Sequence, residues 1–160
     1  MSFEFSADEV FAVAEDIERN GAVFYRDAAK KTKDAAARKF LEELAAMEDN
    51  HLKTFAAMRG GLSEREKKGL TFDPNDESAL YLSALADTRV FFKKTIGTGS
   101  LPEIFRAAVL AEKDSIAFYI GMKEVVPGAA GKSRLEDIIK EEMRHIRILS
   151  EKLAASKNKA

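Results

Sequence analysis

Apolar residues recur at alternating three- and four-residue steps through four long stretches of the chain, the spacing that lines one face of a helix. The first stripe is Phe11, Ala14, Glu18, Gly21 and Tyr25, and the second is Leu41, Leu44, Glu48, His51, Phe55 and Met58. The third is Phe105, Ala108, Glu112, Ser115 and Tyr119, and the fourth is Leu135, Ile138, Glu142, His145 and Leu149. Each stripe is apolar at its ends and acidic in its middle. Punctuation along the chain sets the helix boundaries. Ser6-x-x-Glu9 is a capping box that opens a helix over 7–31. Asp34 caps a second over 34–59, which Gly60-Gly61 ends. Ser100 ahead of Pro102 and Glu103 starts a third over 101–126, and Pro127-Gly128 stops it. The fourth is predicted over 133–155. The stretch from Gly61 to Asn75 is polar and broken by Gly69 and Pro74, so it reads as a connection. Residues 77–92 read as a shorter helix. No stretch sustains the alternation of a strand.

The first and last helix pairs each have a short link, so each is an antiparallel hairpin. A long crossover, residues 60–101, joins them. The expected architecture is an all-α four-helix bundle, one domain over 1–160, with a short extra helix in the crossover.

Charge and composition narrow the function classes. Lys plus Arg is 26 and Asp plus Glu is 27, for a net charge of −1, which argues against a nucleic-acid partner. No apolar run reaches the roughly 18 residues of a membrane span. The acidic start, "MSFEFSADEV", lacks the pattern of a secretory signal, so a cytoplasmic location is expected. There is no cysteine, which excludes disulfides, thiolate metal sites and cysteine nucleophiles. The only histidines are His51 and His145, and both stand in the acidic middles of their stripes.

The two halves superpose at one fixed offset without a gap. The offset is 112 − 18 = 94, and 119 − 25, 142 − 48 and 145 − 51 give the same. Glu18 and Glu48 have their midpoint at 33, and Glu112 and Glu142 at 127, which are the two predicted turns. Residues equidistant from the turn of an antiparallel hairpin lie at one height, so all four glutamates should meet at one level. Four ionised carboxylates buried together are prohibitively costly unless something cancels their charge. Two divalent cations would do so. Glu-x-x-His sets both side chains on one helix face, and the oxygen and nitrogen donors suit iron, manganese or zinc. Glu141, four residues before His145, is a competing ligand on that helix, but only Glu142 matches the repeat.

At these residues the chain resembles the ferritin-like superfamily, and within it the rubrerythrin-like di-iron proteins. The resemblance rests on E-x-x-G-x-x-F-Y at Glu18–Tyr25, E-x-x-H at Glu48–His51, E-x-x-S-x-x-F-Y at Glu112–Tyr119 and E-E-x-x-H at Glu141–His145. It implies a ferritin-like fold with two metal ions per chain, iron first and zinc or manganese as alternatives. It implies the ligand set Glu18, Glu48, His51, Glu112, Glu142 and His145. Glu48 and Glu142 would bridge or chelate, Glu18 and Glu112 would bind terminally, and each histidine would hold one metal. Tyr25 and Tyr119 would donate hydrogen bonds to these ligands. The chain departs from full rubrerythrins in two ways. It has no cysteine for their rubredoxin-like iron site, and Ser115 stands where they carry an additional glutamate.

The activity so implied is an oxidoreductase of peroxidase or ferroxidase type, with O₂ or hydrogen peroxide as oxidant and an external electron-donor protein. The alternatives are a non-catalytic metal-binding or iron-storage protein and a metal-free structural bundle. Phe91 and Phe92 need cover at the end of the crossover helix, which makes a homodimer the expected assembly.

Overall fold

Each hairpin turns in three residues, and the two turns stand at the same offset as the rest of the repeat. A computed structural model describes residues 6–68, 75–88 and 99–157. Six helices lie among the described residues: α1 (Ala7–Lys31), α2 (Ala35–Gly60), α3 (Glu64–Lys68), α4 (Glu77–Thr88), α5 (Leu101–Val125) and α6 (Ala129–Lys157). The turns are residues 32–34 and 126–128, so 126 − 32 is again 94.

Local chemistry places the first turn. The Ser6 hydroxyl accepts from the Glu9 amide at 3.2 Å while the Glu9 carboxylate accepts from the Ser6 amide at 3.0 Å, the capping box expected for α1. Asp34 caps α2 by accepting from the Ala37 amide at 2.7 Å. Arg38 donates to the Thr32 carbonyl from Nε at 3.2 Å and Nη2 at 2.9 Å, which satisfies an acceptor freed at the end of α1.

The second turn corrects the boundary expected for α6. That helix begins at Ala129, not near 133. Gly128 takes φ +83°, which reverses the chain in one residue. A Cβ on Gly131 would lie 2.9 Å from Val126 Cγ1, so this glycine fits the new helix against the turn and does not break it. A second correction concerns the crossover. Residues read as an irregular connection include α3, opened by Ser63, whose hydroxyl accepts from the Glu66 amide at 3.2 Å. The Glu66 carboxylate accepts in return from the Ser63 amide at 2.7 Å. The helix expected over 77–92 is seen as α4, Glu77–Thr88, and its predicted end, with Phe91 and Phe92, lies outside the described residues.

Helix α1 packs on α2 and α5 on α6, and the hairpins meet through α1 with α5 and α2 with α6. Apolar layers close the bundle above and below its middle. Phe11, Leu41, Leu44, Phe55, Phe105, Phe118, Leu135, Ile138 and Leu149 are all buried there. At the open end of the first hairpin, Arg59 of α2 grips α1. It reaches Asp8 with Nε at 2.8 Å and Nη2 at 3.0 Å, and Glu15 with Nη1 at 2.7 Å. Among the described residues, no helix is long and apolar enough to cross a membrane.

Helix α4 lies on α5 at Gly121. The Tyr81 hydroxyl donates to the Ala117 carbonyl at 2.6 Å, and Leu82 is fully buried. A Cβ at 121 would meet the Tyr81 ring at 2.7 Å and Leu82 Cδ2 at 3.0 Å. Gly121→Val should therefore lift α4 from α5 and destabilise the protein by about 1–3 kcal/mol, as overpacked cores generally do. Thermal denaturation of the variant measures this, and an unchanged melting temperature would contradict the described contact.

Candidate metal centre

All six polar residues of the acidic middles come together in the bundle's central layer. Glu18, Glu48, His51, Glu112, Glu142 and His145 are each between 0 and 3% exposed. They fall into two overlapping sets, Glu18, Glu48, His51 and Glu142 in one, and Glu48, Glu112, Glu142 and His145 in the other. Within each set one donor atom from every residue lies within 4.8 Å of the rest. Both imidazoles turn Nδ1 inward. His51 Nδ1 lies 2.9 Å from Glu142 Oε1, 3.4 Å from Glu18 Oε2 and 3.8 Å from Glu48 Oε2. His145 Nδ1 lies 3.0 Å from Glu142 Oε2, 3.4 Å from Glu112 Oε1 and 3.5 Å from Glu48 Oε1. Glu48 and Glu142 thus turn one oxygen toward each imidazole, while Glu18 serves only the first set and Glu112 only the second.

The tyrosines do donate to the glutamates, but across the bundle. Tyr25 of α1 donates to Glu112 Oε1 of α5, and Tyr119 of α5 donates to Glu18 Oε1 of α1. The pairs share one register, 25 + 112 = 18 + 119 = 137, which marks α1 and α5 as antiparallel neighbours about a dyad. Burial and the neighbouring carboxylate charges push both phenols well above their usual range, so they remain donors.

Ser115 supplies no additional ligand, since its hydroxyl donates to the Ala111 carbonyl one turn back, at 3.1 Å. Glu141 stays out of the inner cluster. Its side chain is 56% exposed, and its Oε2 lies 2.6 Å from the outer nitrogen, Nε2, of His51. The repeat could not have found this contact, because the residue equivalent to Glu141 is Met47.

The groups of the layer shift one another's protonation in opposite directions. Burial, then the charge of Glu48, raises Glu18 well above the carboxylate range, and burial with Glu142 and Glu48 does the same to Glu112. Burial and the Glu142 charge also press Glu48 upward, but the neighbouring Glu18 carboxyl and both imidazoles outweigh them and hold it low. Glu142 is likewise held low against its burial, by Glu112 and the two imidazoles. Burial disfavours the imidazolium forms, yet the surrounding carboxylates raise His51 strongly and push His145 up to about 12. Within the layer two carboxyl groups are thus raised and two lowered, while both imidazoles are raised. Glu18 Oε2, Glu48 Oε1, Glu142 Oε1 and His51 Nδ1 have no well-directed hydrogen-bond partner. Buried polar atoms are rarely left so. Glu18 Oε2, Glu142 Oε1 and His51 Nδ1 face one another in the first set and Glu48 Oε1 faces His145 in the second, so a cation in each set would satisfy them all, and the donor set fits a pair of metal ions.

A solved structure from Thermotoga maritima, assigned provisionally as a ferritin-like diiron-carboxylate protein, superposes on this bundle with a TM-score of 0.72. The match covers 95% of this chain and 97% of that one, at 22% sequence identity. The fold is ferritin-like. No protein-family model and no curated protein matches the sequence. In this ferritin-like bundle the two turns stand at opposite ends, the second beside Met58 at the open end of the first hairpin, and the polar layer lies midway between them, where all four long helices can contribute to it.

Proposed function

We propose that the protein is a di-iron carboxylate protein, rubrerythrin-like in its ligand set, that oxidises ferrous iron with O₂ or peroxide. The observation that carries this reading is the double use of Glu48 and Glu142. Two sets of four donors share both of these carboxylates, which is how a ligand set holds two cations side by side and not one. Glu18 and His51 would complete one position, and Glu112 and His145 the other. When bound, two ferrous ions would supply the electrons for reducing the oxidant.

The chain's own residues do the rest. Tyr25 and Tyr119 pin Glu112 and Glu18 and keep their phenolic protons. Phe11, Phe55, Leu44 and Ile138 keep bulk water from the layer. No carboxylate stands at Ser115 to exchange onto a metal, so ferrous oxidation is placed ahead of rubrerythrin-type peroxide reduction. With no cysteine to bind a relay iron, electrons for repeated turnover come from an external donor.

Anaerobic loading with ferrous iron, followed by stopped-flow mixing with O₂ and with hydrogen peroxide, tests the activity. A ferric absorption band should form at least about tenfold faster than from free ferrous ion, a margin of about 1.4 kcal/mol in barrier. Iron that binds at about two per chain but reacts no faster than free ion would instead make this a binding or storage protein.

A further inference from the structure

The repeat that builds the centre fails at the pair of positions that touch its two histidines from outside. Each imidazole uses Nδ1 toward the carboxylates and leaves Nε2 facing outward. Outside His51, Glu141 Oε2 lies 2.6 Å from Nε2. Outside His145, Met47 Sδ lies 3.2 Å from Nε2. These are equivalent places, since 141 − 47 = 94 and 51 + 141 = 47 + 145 = 192. The recess beside His51 also carries Asn50, Thr54, Arg134, Asp137 and Ile138, and the one beside His145 carries Phe40, Glu43, Leu44, Arg144 and Ile148, with Glu141 at the edge of both.

A carboxylate on the outer nitrogen of a metal-binding imidazole fixes its tautomer, holds its plane and makes the inner nitrogen a stronger electron donor. A thioether is a weak acceptor and does little of this. We propose that the two halves of the centre are unequal by construction, with Glu141 making the His51 half the tighter cation position and Met47 leaving the His145 half the weaker. The inference rests on the reading that the centre holds two cations. Glu141 acts through His51 and is a positioning residue, not a ligand. Loading then proceeds in order. The first cation enters beside His51 and Glu18, and the second completes the pair beside His145 and Glu112.

Calorimetric titration of the whole, metal-free chain with Co(II), which stays divalent in air, tests this. The parent protein should take up about two Co(II) in two resolved steps, the first tighter by about tenfold or more, the lower end of what such outer partners contribute. Glu141→Gln keeps the side chain's size and removes its charge, and it should weaken the tight step about tenfold while leaving the loose step unchanged. Met47→Glu, a residue of similar length, should tighten the loose step instead. A merely structural role for Glu141 would not let Met47→Glu strengthen binding. The visible spectrum of bound Co(II) and circular dichroism of each variant confirm that the site and fold are intact. Two ions bound in equal steps, or variants that leave both steps as they were, would overturn the inequality while leaving the two-cation reading in place. Uptake below about one ion per chain in the parent would overturn both.

Discussion

Glu142→Ala is expected to abolish both cation positions at once and, with them, the thermal stabilisation that added metal gives the parent protein. Glu142 turns Oε1 toward His51 and Oε2 toward His145, so its loss removes a donor from each set. Glu48→Ala should behave alike, since its two oxygens divide in the same way. Glu18→Ala and Glu112→Ala each touch one set and should cost one cation. A ligand at a hundredfold excess over its dissociation constant stabilises the folded state by about 2.7 kcal/mol, so two such cations contribute roughly 5 kcal/mol. For a chain of this size that corresponds to on the order of 10–20 °C in melting temperature. The measurement is a thermal shift with and without metal, alongside metal analysis of each variant. The comparison within each variant matters, because removing an ionised group also changes the metal-free protein. If Glu142→Ala kept one tightly bound cation and half of the shift, these carboxylates would not be shared.

Without metal, the protein should be most stable in mild acid and should weaken steeply as the pH rises. Glu18, Glu112, His51 and His145 all hold protons in the folded chain at pH values where the unfolded chain has released them. A group whose folded pKa is raised contributes stability below its unfolded pKa, and that contribution is lost as the pH climbs toward the folded one. Each extra proton held by the folded state costs about 1.4 kcal/mol per pH unit. Glu18 and Glu112 therefore give a falling slope above the unfolded carboxylate range, and the imidazoles add to it above about pH 6.5. A slope of about 1.4 kcal/mol per unit is already large against the roughly 5–15 kcal/mol that holds a domain folded. Glu48 and Glu142 act in the opposite sense. Their folded pKa values are lowered, so their contribution is present above the unfolded carboxylate range and is lost as the pH falls below it. The two slopes meet near pH 5, where the maximum should lie. Denaturant unfolding from pH 4 to 9 reads this profile directly.

Metal reverses the alkaline limb, because a bound cation requires the protons to have left. Loading two cations near neutral pH should therefore release protons, drawn from His51, His145, Glu18 and Glu112, whose folded forms hold them longer than the unfolded chain does. Calorimetry in buffers of different ionisation enthalpy counts them. Release of less than about one proton per pair would show that the metal-free layer is already ionised. An alkaline limb that stayed flat would say the same.

The extent to which this molecule was legible from its sequence depends on what repeats in it. Glu18 with Glu48, and Glu112 with Glu142, announced their meeting through equal distances from two turns, and the described turns at 32–34 and 126–128 obey that symmetry. The start expected for α6 falls four residues late, because Ala129–Lys132 show no apolar stripe, while the structure uses Gly131 there to let α6 pass Val126. Helix α3 has a legible capping box at Ser63 and Glu66, but five residues offer no apolar face to betray a helix. The acceptors of Tyr25 and Tyr119 were out of reach for another reason. Spacing within one helix places a hydroxyl at a height, but only the packing of α1 against α5 decides whose carboxylate it meets. Glu141 was set aside because comparing the halves reveals only what they have in common. Its contact with His51 lies where they differ.

The crossed tyrosine bonds have a consequence for how such a centre can arise. Each hairpin holds a phenol whose acceptor belongs to the other, and no hairpin contains a whole donor set. One hairpin encoded alone would be half of a device, completed only by an identical copy turned through 180°. Joining two copies on one polypeptide removes the need for them to find each other. It also frees the copies to drift apart in composition, and positions 47 and 141 are a place where that freedom has been used.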